Sequence, residues 1–154
     1  MRFLTPYRIA TYVLTAFFLG HTGGGMIAQK SLGPASDAVF TAMKSVHFDF
    51  NGASSTWYGF WFAFGLTASI FLLLSAIVAW RLNDVPPEHW HLFSVIAWAF
   101  VLAHVGNAIL TWTYFFPGAG IFATLSAVLL GLGAFQKERR AGEVAPKPGH
   151  YTRH

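Results

Sequence analysis

Four apolar runs, each long enough to cross a bilayer and separated by short polar stretches, dominate this chain: Tyr7 to about Ile27, Tyr58 to Trp80, Trp90 to Tyr114 and Gly118 to Phe135. Crossing about 30 Å of hydrocarbon takes roughly 17 to 25 helical residues at about 1.5 Å each. Backbone in lipid must satisfy its own N–H and C=O groups, so such runs are read as helices. Only 10% of the residues are charged and 55% are hydrophobic, whereas soluble domains carry about 25% charge. The expected class is all-α: an integral membrane up-down four-helix bundle over residues 1–136, with a basic cytoplasmic tail over 137–154.

Charge placement orients the bundle. The net charge is +4. With both termini cytoplasmic, Arg2, Arg8, Arg81, Lys137, Arg139, Arg140, Lys147 and Arg153 fall inside, and only Lys30 and Lys44 outside. This is a positive-inside bias. It makes membrane lipids, rather than nucleic acid, the expected partners of the basic ends. With no cysteine, disulfides, thiolate metal sites and thiol redox chemistry are excluded. The basic start and apolar run at 1–18 are similar to a secretory leader, but Met26 stands where a small residue would precede a cut after Ala28, so this run is read as the first span.

Local chemistry is concentrated near the outer ends of the spans. Gly23 to Gly25 follows no strand and precedes no Lys-Ser or Lys-Thr pair, so it is not a phosphate loop. Three glycines in a row are expected to loosen or end the first helix, while Gly20 and Gly24 form a small-xxx-small pair. In the external loop, Val39, Met43, Val46 and Phe50 recur at helical spacing, predicting a short amphipathic helix from Ser36 to about Val46. His47-Phe48-Asp49-Phe50-Asn51-Gly52 alternates polar and aromatic residues, which if extended sets His47, Asp49 and Asn51 on one face of a cap. Gly59, Ala63 and Thr67 on the second span, and Ala119, Ala123, Ala127 and Gly131 on the fourth, read as stripes for close helix packing.

Met43, Phe48-Asp49, Gly52, Trp57, Phe60 and Phe64-Gly65-Leu66, with His21-Thr22 and Gly24-Gly25 upstream, form a pattern covering roughly the first half of the chain. It resembles that of an uncharacterised family of small bacterial four-helix integral membrane proteins. The resemblance implies four spans and a bacterial cytoplasmic membrane. It implies no activity and no catalytic residue.

His104 and Asn107, with Thr111 one turn on, are the most costly residues of the third span and are expected to face the bundle interior. Counted from Tyr7 and Trp90, His21 and His104 each lie 14 residues along, a depth of about 21 Å. In one reading these imidazoles are hydrogen-bonded helix glue. In a second, His21, Thr22, Asp49, Trp57, His104, Asn107 and Thr111 line an outer-leaflet pocket for an amphipathic ligand such as a lipid, quinone or isoprenoid. The protein would then be a binding protein or an accessory subunit of a larger membrane complex. An isomerase-type enzyme is an alternative, with His21, His47 and Asp49 the candidates for moving a proton. In the third, His21 and His104 ligate a b-type haem. A metal site at His47 and Asp49 is a lesser alternative, and His150 and His154 in the tail have too few companions to form one. Four short-looped spans in 154 residues could form a transport path only by self-association, and no acidic residue lies within a span to bind or relay a cation.

Overall fold

The computed structural model describes residues 4–144, most of them helical. Arg2, Lys147 and Arg153 of the charge argument, and the tail histidines His150 and His154, lie outside the described residues. Helix α1 spans Pro6–Leu19 and continues as a π-helix over Gly20–Ile27; α2 is Pro34–Ser45. Strands β1 (His47–Phe50) and β2 (Ala53–Thr56) precede α3 (Trp57–Asp84), and a 3₁₀ segment, Pro87–Leu92, leads to α4 (Ser94–Tyr114) and α5 (Pro117–Val144). Three helices, α3, α4 and α5, are long and apolar enough to cross a membrane. The first apolar run is helical too, but is divided between 14 α-wound and 8 π-wound residues. Large apolar side chains stand in the open on these helices, Val95 at 80% and Leu102 at 70% exposure, a surface suited to lipid rather than water.

Several boundaries differ from the sequence reading. Of the two expectations for the glycine run, loosening holds and ending does not: the helix reaches Ile27, the bound read from the sequence. Its winding is wider there, Ala28 N–H reaching the Gly23 carbonyl five residues back at 2.8 Å. Glycine's conformational freedom lowers the cost of leaving regular α winding here, although the space beside Gly23 and Gly24 is open. Helix α5 runs past Phe135 to Val144 because Gln136-Lys137-Glu138-Arg139-Arg140-Ala141 are good helix formers. Helix α3 continues to Asp84, two residues before Pro86, and the third span starts at Ser94 because Pro87 opens a 3₁₀ turn that holds Trp90.

The loop also differs. Its helix is present, over Pro34–Ser45, with Asp37 in the first turn and Lys44 in the last, as the helix dipole favours. The following residues form a hairpin rather than one extended cap. His47 pairs with Thr56, Asp49 with Ser54, and the turn is Asn51-Gly52 with φ of 55° and 84°. Positive φ at both central residues is the two-residue turn whose twist suits a hairpin, and it takes Asn51 out of line with His47 and Asp49. Thr56 Oγ1 then accepts the Gly59 N–H at 3.0 Å, capping α3.

The chain clusters into two compact units, one of Met1–Leu14 with Ser75–His154, the other of Thr15–Leu74. The division is hidden in the apolar runs because it cuts through α1 and α3. In the first unit α4 and α5 pack along Ala97, Val101, Ala123, Ala127 and Leu130, all buried. The alanine stripe of α5 is thus an inner face. The Gly59, Ala63 and Thr67 stripe of α3 is exposed instead.

At one end of this unit, Lys137 Nζ donates to the carbonyls of Asn83 (2.7 Å) and Val85 (2.6 Å). Thr5 Oγ1 donates to Asn83 Oδ1. Arg8 pairs with Asp84 at 2.7 Å and lies 3.4 Å over the Trp80 ring. Trp90 Nε1 donates to Glu138, which also accepts from Ser94. Tyr7 packs tilted on Trp90, and Gly133 leaves room for its ring.

A Cβ at Gly133 would stand 2.8 Å from the root of the Tyr7 ring, whereas one at Gly65 would meet only the flexible end of Met26. Gly133→Ala is therefore expected to lose about 1–3 kcal/mol to overpacking, offset by only about 1 kcal/mol of helix propensity. Gly65→Ala is expected to be near neutral, because the gain in helix propensity, about 1 kcal/mol, offsets the displaced methyl. Thermal melts in detergent check this contrast; equal losses would contradict the packing described.

Candidate functional site

His21, Thr22, His47, Asp49 and Trp57 fall in the unit Thr15–Leu74, and His104, Asn107 and Thr111 in the other. In the first of these units the site begins with the π-helix. Its wide winding presents His21 and Thr22 to α3, where His21 Nε2–H donates to the Gly65 carbonyl at 3.0 Å. Thr22 Oγ1 donates to Ser69 Oγ at 2.8 Å, and Ser69 Oγ donates to the same Gly65 carbonyl at 3.3 Å. Two side chains thus converge on one carbonyl. Met26 is buried against Gly65, which has no side chain to keep it away. A carbonyl partner fixes the His21 tautomer with its proton on Nε2, so Nδ1, on the Gly25 side, is the acceptor of the neutral ring.

The hairpin and the start of α3 build an aromatic wall. Phe48 lies 5.0 Å from Trp57 and stacks on Phe60 at 6.0 Å; Phe50 meets Phe60 edge-on at 5.1 Å, and Phe64 continues the stack at 6.3 Å. Positions 57, 60 and 64 share one helix face by their spacing. Phe50, Trp57 and Phe64 remain 52%, 60% and 70% exposed. On another face, Tyr58 carries Lys44 at 4.6 Å over its ring and accepts from Gln29 at 3.0 Å, while Trp61 meets Phe40 of α2 edge-on. These contacts fasten the loop helix to α3.

The polar hairpin residues are used locally. Asp49 Oδ1 accepts the Gly52 N–H at 3.2 Å, closing the turn, and His47 Nδ1–H donates to the Ser45 carbonyl at 3.1 Å. Both are exposed. Among the described residues no three or more His, Asp or Glu side chains gather where they could hold a metal ion.

In the other unit His104 is wholly buried, with Nε2 3.1 Å from Ser75 Oγ and its ring edge-on to Phe100. Thr111 Oγ1 donates to the Asn107 carbonyl at 2.7 Å, one turn back, the local bond that threonine makes in apolar helices. Haem ligation through Nε2 would first require His21 and His104 to release the bonds described.

Gly65, Ser69 and Ser75, the partners of the histidines and the threonine, were not picked out from the sequence, since a backbone carbonyl and lone serines in an apolar run carry no motif. The hairpin was also missed, although Asn-Gly between alternating residues is the strongest short signal for one. No family model matches the chain, and no curated protein or solved structure does either.

A double-mutant cycle on Thr22→Val and Ser69→Ala is expected to give a coupling of about 0.6 kcal/mol, the usual worth of a side-chain hydrogen bond between apolar helices. Additive losses in denaturation would remove Thr22 from this network.

Proposed function

We propose that the chain is a multi-pass membrane protein of four crossings, both ends cytoplasmic, that binds a small amphipathic ligand at the outer leaflet through the unit Thr15–Leu74. The carrying observation is the aromatic wall of Phe48, Phe50, Trp57, Phe60 and Phe64, of which Phe50, Trp57 and Phe64 are exposed, at the joint of hairpin and α3. A flat apolar ligand body stacks on such rings, each pair of which contributes about 0.5–1.5 kcal/mol beyond area burial, and its polar head is left to the water and headgroups around the exposed hairpin. A lipid, a quinone or an isoprenoid has this form. The three helices long and apolar enough to span support the membrane setting, as does the helical continuation of α1 through Ile27. The bacterial cytoplasmic membrane, and the resemblance to small bacterial four-helix membrane proteins, belong to this same reading.

The chain contains no cysteine, so single cysteines can be introduced cleanly. Ser54→Cys is expected to react with a membrane-impermeant maleimide in intact cells, and Ala141→Cys only after lysis. Reversed labelling would invert the topology; labelling of both in intact cells would end the four-crossing reading.

Lipid extraction and mass spectrometry of protein purified in mild detergent test the ligand. One amphipathic species is expected to be enriched over bulk lipid, and a Trp57→Ala, Phe60→Ala variant to lose about tenfold of it, as the stacking energies imply. Bulk lipid composition in both would reduce the wall to an interfacial anchor. An absorption spectrum of the same sample, oxidised and dithionite-reduced, examines the haem alternative: a Soret band lost in His21→Ala or His104→Ala would replace the present reading.

A further inference from the structure

The end network of the first unit encloses a cleft of about 230 Å³ whose wall includes Thr5, Tyr7, Asn83, Gln136, Lys137 and Arg140. It is polar in a chain that is otherwise apolar. At about 30 Å³ per water it holds roughly seven waters, below the roughly 300 Å³ at which pockets for whole drug-sized ligands begin. It is sized for a head, not for a tail.

Charge decides what kind of head. Gln136, Lys137 and Arg140 lie on one face of α5 by their spacing of three and four. An ammonium has three donors. Lys137 directs two of them to the Asn83 and Val85 carbonyls, which fixes the nitrogen in place and leaves one over. Arg140 is exposed and brings a planar fork of donors that suits a phosphate. Two acids stand near the cleft without lining it: Asp84, close to Lys137, is paired with Arg8, and Glu138, close to Tyr7, accepts from Trp90 and Ser94. Tyr7 adds a buried hydroxyl without a hydrogen-bond partner among the described residues.

We infer that this cleft is an anion site that takes a phosphate group, held by Lys137 and Arg140, either as the phosphodiester of a lipid headgroup or as free phosphate. The lipid source rests on the membrane reading above; the site itself does not, and it is independent of the aromatic wall.

Native mass spectrometry of the full chain in nonionic detergent, titrated with phosphatidylglycerol and with a glycosyl diacylglycerol of the same chain length, tests it. Phosphatidylglycerol is expected to be retained about tenfold better, and Arg140→Gln to remove about tenfold of that affinity, the order expected for a charge-assisted hydrogen bond. Arg139→Gln, next to Arg140 but outside the cleft wall, is expected to leave retention within about twofold. Lys137→Gln is avoided as a readout, because Lys137 also holds the end of α3. Displacement of the lipid by excess inorganic phosphate would make the phosphate alone the ligand, and retention in its presence would make the lipid the ligand; either sustains the site. Equal binding of the two lipids, or equal losses in the two arginine variants, would overturn it in favour of a diffuse basic surface.

Discussion

The Lys137 ammonium at the end of α3 is the contact on which one whole unit turns. A helix leaves its last carbonyls without intrahelical partners, and where water is scarce each costs several kcal/mol if left unpaired. Lys137, projecting from α5, donates to the carbonyls of Asn83 and Val85 and brings positive charge to the negative end of the helix dipole. The same few residues gather Thr5 and Arg8 from the start of the chain. In this unit, where α4 and α5 meet largely along small side chains, the clasp adds polar contacts among α5, the end of α3 and the start of α1. Because the clasp is charged, it belongs where the apolar length of the helices runs out.

In the other unit the winding of the first helix sets what faces α3. The helix is π-wound after Leu19, and Gly65 leaves space on α3 for Met26 while its carbonyl accepts from His21. Glycine here loosens a helix rather than ending it. The helix pays in intrinsic stability and gains an imidazole with a defined tautomer and a defined neighbour.

Much of this could be read from the residues in advance, and the failures have physical causes. Long apolar runs identify their helices because hydrocarbon permits little else, and the loop helix shows in the spacing of Val39, Met43 and Val46. Boundaries were harder: the polar run Gln136 to Arg140 marks the end of hydrophobicity, which is not the end of a helix. Hairpin register lay in two residues, Asn51-Gly52, outweighed in the reading by the polar alternation around them. His21 and His104 were recognisable as costly, but their partners are a backbone carbonyl and a serine, which carry no signature of their own in a sequence.

The junction of hairpin and helix has a mechanical consequence. β2 ends at Thr56 and α3 begins at Trp57, with no residue between them and a threonine cap across the joint. A two-residue turn at the other end leaves the strands little slack. Asn51 and Gly52 are thereby tied closely to the start of α3, so the direction in which the turn points follows that of the helix.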